Sequence, residues 1–73
     1  SMIFIPDTMN SEYLEKTILS LPDGYRAVFL LTEVEGYTHE ETGKILGISA
    51  GTSKSQLHHA KKMLKQRLTT LID

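Results

Sequence analysis

The chain has 73 residues, 40% of them hydrophobic and 23% charged, with a formal net charge of −1 and no cysteine. That length admits one domain with a small core, and the lack of cysteine rules out disulfides and thiolate metal sites. No apolar run approaches the roughly 20 residues that span a bilayer, so the expectation is a soluble cytoplasmic protein without membrane insertion.

The charge is unevenly placed. Residues 1–41 carry eight of the nine acids and only Lys16 and Arg26, a local charge of −6. Residues 42–73 carry Lys44, Lys54, Lys61, Lys62, Lys65 and Arg67 against Asp73 alone, a local charge of +5. A polyanion responds to local potential, so the basic end fits phosphates and leaves the acidic half for another partner.

Residues 1–10 have no helical period and contain Pro6. They read as a linker, with Ser1-Met2 as a cloning remnant and Ile3-Phe4-Ile5 as a triplet able to dock on the body. Residues 11–73 form the domain. Ser11 is placed to cap a first helix running to about Leu19, with Leu14, Ile18 and Leu21 at helical spacing. Leu21-Pro22 ends it. Pro22 or Asp23 opens a second helix that reaches Glu35 and stops at Gly36. Its apolar stripe spans Tyr25, Ala27, Val28, Phe29, Leu30, Leu31 and Val34, which is broader than one face. Such a helix is either central to the core or covered by a partner.

Thr38-His39-Glu40-Glu41 is a capping-box pattern, with Thr38 capping a short third helix from His39 to Leu46. Gly47 breaks that helix, Ile48 anchors the turn, and Ser49 caps a fourth helix from Ala50 to about Leu71. Gly43 is the small residue that admits a close crossing. A short capped helix, a glycine turn and a long capped helix make a helix-turn-helix.

The fourth helix divides at 100° per residue. Ser53, Leu57, Ala60, Leu64, Leu68 and Leu71 share the inward side, and Gly51, Lys54, Ser55, His58, His59, Lys62 and Lys65 the outward side. The outward side holds no acid and is rich in donors for phosphates and base edges. The Ala50, Gly51 and Thr52 amides stand at the positive end of the helix dipole. Any one of these lysines could serve solubility alone. His58 and His59 point about 100° apart and do not chelate one ion, so no metal or other cofactor is expected. His39-Glu40-Glu41 lacks the second histidine of a zinc-protease motif, and no catalytic triad is visible, so no enzyme is expected.

Three segments taken together resemble a known family. They are Leu21-Pro22-x-x-Tyr25-Arg26-x-Val28-Phe29-Leu30-Leu31, then Glu33-Val34-Glu35-Gly36-Tyr37-Thr38-His39-Glu40-Glu41, then Ile45-Leu46-Gly47-Ile48-Ser49-x-Gly51-Thr52-x-Lys54-Ser55-x-Leu57-His58-x-Ala60-Lys61. In this order they resemble region 4 of bacterial sigma factors of the extracytoplasmic-function group, over about residues 12–70. The resemblance implies an all-α four-helix domain with a helix-turn-helix, winged-helix-like and of the region 4 type, with no sheet. It implies recognition of the minus-35 promoter element in double-stranded DNA by the fourth helix. Lys54, Ser55, His58 and His59 match base and backbone contacts, with Gly51 and Thr52 near phosphate and Lys62 on the same face. It further implies that the acidic, apolar half meets the β flap of the RNA polymerase core and an anti-sigma factor; the broad apolar stripe of the second helix offers Tyr25, Phe29 and Leu30 as contact residues.

The chain departs from the family pattern in four places. Gln56 and His59 stand where relatives often carry arginine, which weakens bidentate guanine reading. Ser53 and Thr42 replace apolar inward residues. The DNA-melting region of a working factor is missing from these 73 residues, so the chain is expected to be one domain of a longer protein. The alternatives are a module that mainly binds polymerase or an inhibitor, and a helix-turn-helix regulator of another class.

Overall fold

The structure, a computed structural model, describes residues 11–72, with side chains as far as Leu68. Its elements are α1 (Ser11–Leu19), α2 (Asp23–Phe29), a π turn (Leu30–Val34), α3 (His39–Leu46) and α4 (Ala50–Ile72). No strand occurs among the described residues, and the fold is the all-α four-helix type with a helix-turn-helix. The expected linker at residues 1–10 and the inward placement of Leu71 lie outside the described residues.

Helix α4 organises the rest, packing against α1, α2 and α3. At about 1.5 Å per residue its length is roughly 34 Å, and the molecule measures 37 × 21 × 17 Å. One side of α4 buries Ala60, Leu64 and Leu68 at 0–3% exposure beside Leu21 and Val28. Removing a leucine or valine side chain from water contributes about 1.5–3 kcal/mol each. Three of the eight buried side chains among the described residues are polar: Thr17, Thr42 and Ser53.

Each buried hydroxyl has its own circumstance. Thr17 Oγ1 donates to the Tyr13 carbonyl at 2.9 Å, satisfied within α1. Ser53 Oγ meets His39 Nδ1 at 2.7 Å, which joins the start of α3 to α4. Thr42 Oγ1 has no hydrogen-bond partner although the residue is wholly buried. Leu14 and Ile18, expected as the inward side of α1, are only half-buried, and Thr17 takes the most buried place.

At the corner between α1 and α2 the chain leaves carbonyls without helical partners, and two arginines fill them. Arg26 donates through Nη1 to the Leu19 and Leu21 carbonyls at 3.1 and 3.3 Å, and through Nη2 to Asp23 at 2.8 Å. From α4, Arg67 Nη1 donates to the Ser20 carbonyl at 2.8 Å and to its Oγ at 2.6 Å.

The second helix departs from expectation. It does not run as a single α-helix to Glu35; α2 ends at Phe29, and Leu30–Val34 widen into a π turn. Thr32 Oγ1 donates to the Val28 carbonyl at 2.8 Å, a back-bond that strains the regular ladder. The Glu35 amide then reaches Leu30 O at 2.9 Å, five residues back, and the Tyr37 amide reaches Leu31 O at 2.9 Å. Gly36 takes φ 83° and turns the chain toward α3.

The third helix has the boundaries expected for it, and both halves of its capping box form. The Glu41 amide donates to Thr38 Oγ1 at 3.0 Å, and the Thr38 amide donates to Glu41 Oε1 at 2.9 Å. Gly47 closes α3 at φ 72°, ψ 34°. The Gly43 carbonyl accepts the Gly47 amide and also the Ile48 amide, the latter at 2.9 Å. A Cβ at position 43 would stand 2.5 Å from the Ile48 carbonyl oxygen and 3.4 Å from the Ser49 carbonyl carbon. No side chain fits between α3 and the turn.

Adjacent residues in α3 therefore have opposite expected effects. Gly43→Ala forces a backbone shift and destabilises the domain by about 1–3 kcal/mol, despite the better helix propensity of alanine. Thr42→Val keeps the shape but removes an unpaired buried hydroxyl, and stabilises the domain by about 1 kcal/mol or more. Urea denaturation followed by circular dichroism checks both. A neutral Gly43→Ala would mean that the turn relaxes freely.

Candidate nucleic-acid interface

Every residue assigned to the outward side of α4 lies on the surface, Gly51, Lys54, Ser55, His58, His59, Lys62 and Lys65, and Thr52, expected near phosphate, is exposed as well. The side is continuous because α4 turns its small and apolar residues, Ser53, Leu57, Ala60, Leu64 and Leu68, toward the body. Among the described residues no ion pair engages Lys54 or Lys62. Their charge is available to an approaching polyanion.

Two other basic side chains of α4 point elsewhere. Lys61 pairs with Glu33 of the π turn at 2.7 Å, and Arg67 is spent on Ser20. The local excess of positive charge thus concentrates on the side that begins at Lys54. The acids Glu33, Glu35, Glu40 and Glu41 belong to the π turn and the start of α3. Charge segregation in the chain becomes segregation in space.

The start of α4 narrows the expected phosphate seat. Ser49 Oγ accepts the Thr52 amide at 3.0 Å and donates to Thr52 Oγ1 at 3.0 Å. The Thr52 amide is occupied by the cap, which corrects the expectation that three amides are open. Ala50 and Gly51 supply the free donors, and a Cβ at Gly51 would meet only Ser49 Oγ, at 3.8 Å. Close approach of a ligand to this turn meets no side chain at position 51.

The side also has an aromatic edge that helical spacing does not reveal. Tyr25 of α2, half-buried, stacks on His59 with ring centroids 5.9 Å apart and planes at 27°. His58 meets His59 edge-on, with centroids 5.5 Å apart and planes at 71°. Tyr25, expected on a partner stripe with Phe29 and Leu30, also adjoins the α4 side through this stack. Phe29 and Leu30 are half-buried, and Val34 beyond them is 61% exposed.

Beneath the first half of α4, a shallow cavity of about 250 Å³ lies between Gly24, Val28, Leu46, Ile48 and Gln56. Gln56 Oε1 is buried there without a hydrogen-bond partner. Among the described residues no cluster of histidine, aspartate and glutamate is placed to hold a metal ion. No helix among them is long and apolar enough to cross a membrane.

Comparison with known proteins gives the family of the chain. The family described as Sigma-70, region 4 matches residues 11–64. The ECF RNA polymerase sigma factor SigE of Mycolicibacterium smegmatis is 36% identical over 55 residues, 75% of this chain and 21% of that protein. The ECF RNA polymerase sigma factor SigW of Bacillus subtilis is 36% identical over 61 residues, 84% of this chain and 33% of that protein. The RNA polymerase sigma factor YlaC of Bacillus subtilis is 33% identical over 66 residues, 90% of this chain and 38% of that protein. No solved structure matches the chain. The chain spans between 21% and 38% of the length of these three relatives, so it corresponds to one part of a sigma factor. With four helices, a glycine-closed turn and a family match over most of its length, the chain belongs to the sigma-70 region 4 family.

Proposed function

We propose that the domain recognises the minus-35 element of promoter DNA by laying the first half of α4 in the major groove, and so directs RNA polymerase to its start sites. The observation that carries this reading is the acid-free exposed side of α4, with Lys54, His58 and Lys62 at four-residue spacing, Ser55 beside them and the leucines turned away. A B-form major groove about 12 Å wide admits one helix. Lys54, Ser55 and His58 lie toward its N-terminal half, where a recognition helix meets base edges. The Ala50 and Gly51 amides and Lys62 fall toward the flanking phosphates. The role is binding, and no step of it needs a catalytic group.

The isolated domain has few cations to neutralise phosphates, because Lys61 and Arg67 are engaged elsewhere. Its affinity is accordingly modest and falls with salt at a slope set by the few phosphates it neutralises. His59, in place of a guanidinium group, moves its reading away from bidentate guanine contacts, whereas Gln56 turns its side chain toward the cavity beside Gly24. A second surface is proposed for protein partners, the polymerase β flap and an anti-sigma factor. Its support is the apolar run Phe29–Val34, which α4 covers only in part.

Fluorescence anisotropy with duplexes selected from a randomised library separates these roles. Lys54→Ala and His58→Ala lower discrimination between selected and shuffled duplexes by about 1–3 kcal/mol each. Lys62→Ala weakens both duplexes about equally and reduces the salt slope by about 1. Val34→Ser leaves all of these values unchanged and weakens capture of a β flap fragment. Absence of any sequence preference at low salt contradicts the promoter reading.

A further inference from the structure

The ring contact between α2 and α4 has a consequence for how the α4 side reads bases. His58 and His59 are neighbours on α4 and leave the helix axis about 100° apart. His58 points along the line of Lys54 and Lys62, whereas His59 points toward α2. There it meets Tyr25, whose ring lies nearly parallel to its own at a centroid distance of 5.9 Å. His58 then rests edge-on against His59 at 5.5 Å. Three rings form a continuous row from a half-buried residue of α2 to the exposed side of α4.

Tyr25 is well placed to hold that row. Its neighbour Gly24 lies against Gln56 of α4, whose Oε1 would be 3.4 Å from a Cβ at position 24. Its other neighbour, Arg26, is bonded to the Leu19 and Leu21 carbonyls and to Asp23. The backbone on both sides of Tyr25 is therefore seated against α4 and against the α1–α2 corner. His59, by contrast, is exposed and has no hydrogen bond to fix its ring among the described contacts; its ring contacts are Tyr25 and the exposed His58. An exposed histidine with nothing to lean on samples several rotamers and must give them up when it binds. A histidine stacked on a fixed aromatic ring starts from fewer.

We propose that Tyr25 is a specificity-determining positioning residue, holding His59 and through it His58 in the orientation that reads bases. The proposal rests on the promoter reading of α4 and deepens it. Tyr25 acts through the face of its ring, so phenylalanine substitutes for it and an aliphatic side chain does not. Its effect falls on discrimination between sequences. Phosphate attraction, which depends on Lys62 and the Ala50 and Gly51 amides at the start of α4, is left in place.

The test uses the 73-residue chain and its Tyr25→Phe and Tyr25→Leu forms. Three quantities are measured: helical signal by circular dichroism, histidine ring-proton shifts by NMR, and affinity for a library-selected and a shuffled duplex. In Tyr25→Leu the His59 ring protons lose the ring-current shift of the tyrosine. Affinity for the selected duplex falls about 2- to 10-fold, the range that one aromatic pair supplies, while affinity for the shuffled duplex is unchanged. Tyr25→Phe retains both the shift and the discrimination. Should Tyr25→Leu lose helical signal, Tyr25→Met, an unbranched and flexible alternative, is measured in its place and is expected to show the same loss of discrimination. Equal weakening of both duplexes by the aliphatic variants, or full discrimination despite a displaced His59 ring, overturns the role of Tyr25 and leaves the promoter reading standing. A wild-type chain with no preference between the duplexes overturns both.

Discussion

The helix-turn-helix rests on one steric fact, that α3 and the start of α4 approach so closely that position 43 has no room for a side chain. The Ile48 carbonyl oxygen occupies the space where a Cβ would be. Because Gly43 yields that space, its own carbonyl can accept the Gly47 and Ile48 amides while the chain reverses through Gly47 at φ 72°. The turn is then only three residues long, Gly47 to Ser49, and Ser49 is already the cap of α4. The crossing of α3 and α4 fixes which azimuth of α4 faces the body, and hence which side chains face water. A looser turn would let α4 roll, and its two sides would lose their meaning.

The remaining contacts keep α4 from sliding or rolling along that seam. His39 bonds Ser53 at the α3 end, Lys61 pairs with Glu33 midway, and Arg67 holds Ser20 farther along. These polar ties matter more here than in a larger domain, because the buried apolar set is small and three of the eight buried side chains are polar. The same ties sort the basic residues. Lys61 is offset by Glu33 and Arg67 is held against Ser20, whereas Lys54 and Lys62 have no ion-pair partner among the described residues. A chain with net charge −1 can thus present a cationic edge, because eight of its nine acids precede residue 42 and none stands on α4 among residues 50–72.

Much of this was legible in the sequence, and the reasons are local. Thr38 with Glu41, Gly47 before Ile48, and Ser49 before Ala50 specify helix ends through their own hydrogen bonds, so α3 and the start of α4 stand where expected. The two sides of α4 followed from 3.6-residue periodicity alone. Periodicity did not find the inward Thr17, because only apolar residues were counted, nor the π turn, because the Thr32 back-bond leaves no period. Contacts between elements were equally hidden: nothing in the spacing of Tyr25 and His59, or of Lys61 and Glu33, brings them together. Ser53 was the exception that carried a signal, since a hydroxyl at an inward position needs a partner, and His39 provides it. Thr52 shows the opposite error, in that its amide, expected to be open to phosphate, is consumed by the cap that the sequence itself announced.

The most direct measurement is an NMR titration of the isotopically labelled 73-residue chain with a duplex selected from a randomised library. The amide shifts of Gly51 to His59 and of Lys62 should move most, while those of α1 and the π turn stay nearly fixed. The largest shifts falling on α1 or on Leu30–Val34, with Lys54, Ser55 and His58 unmoved, would contradict the assignment of α4 as the DNA-reading helix.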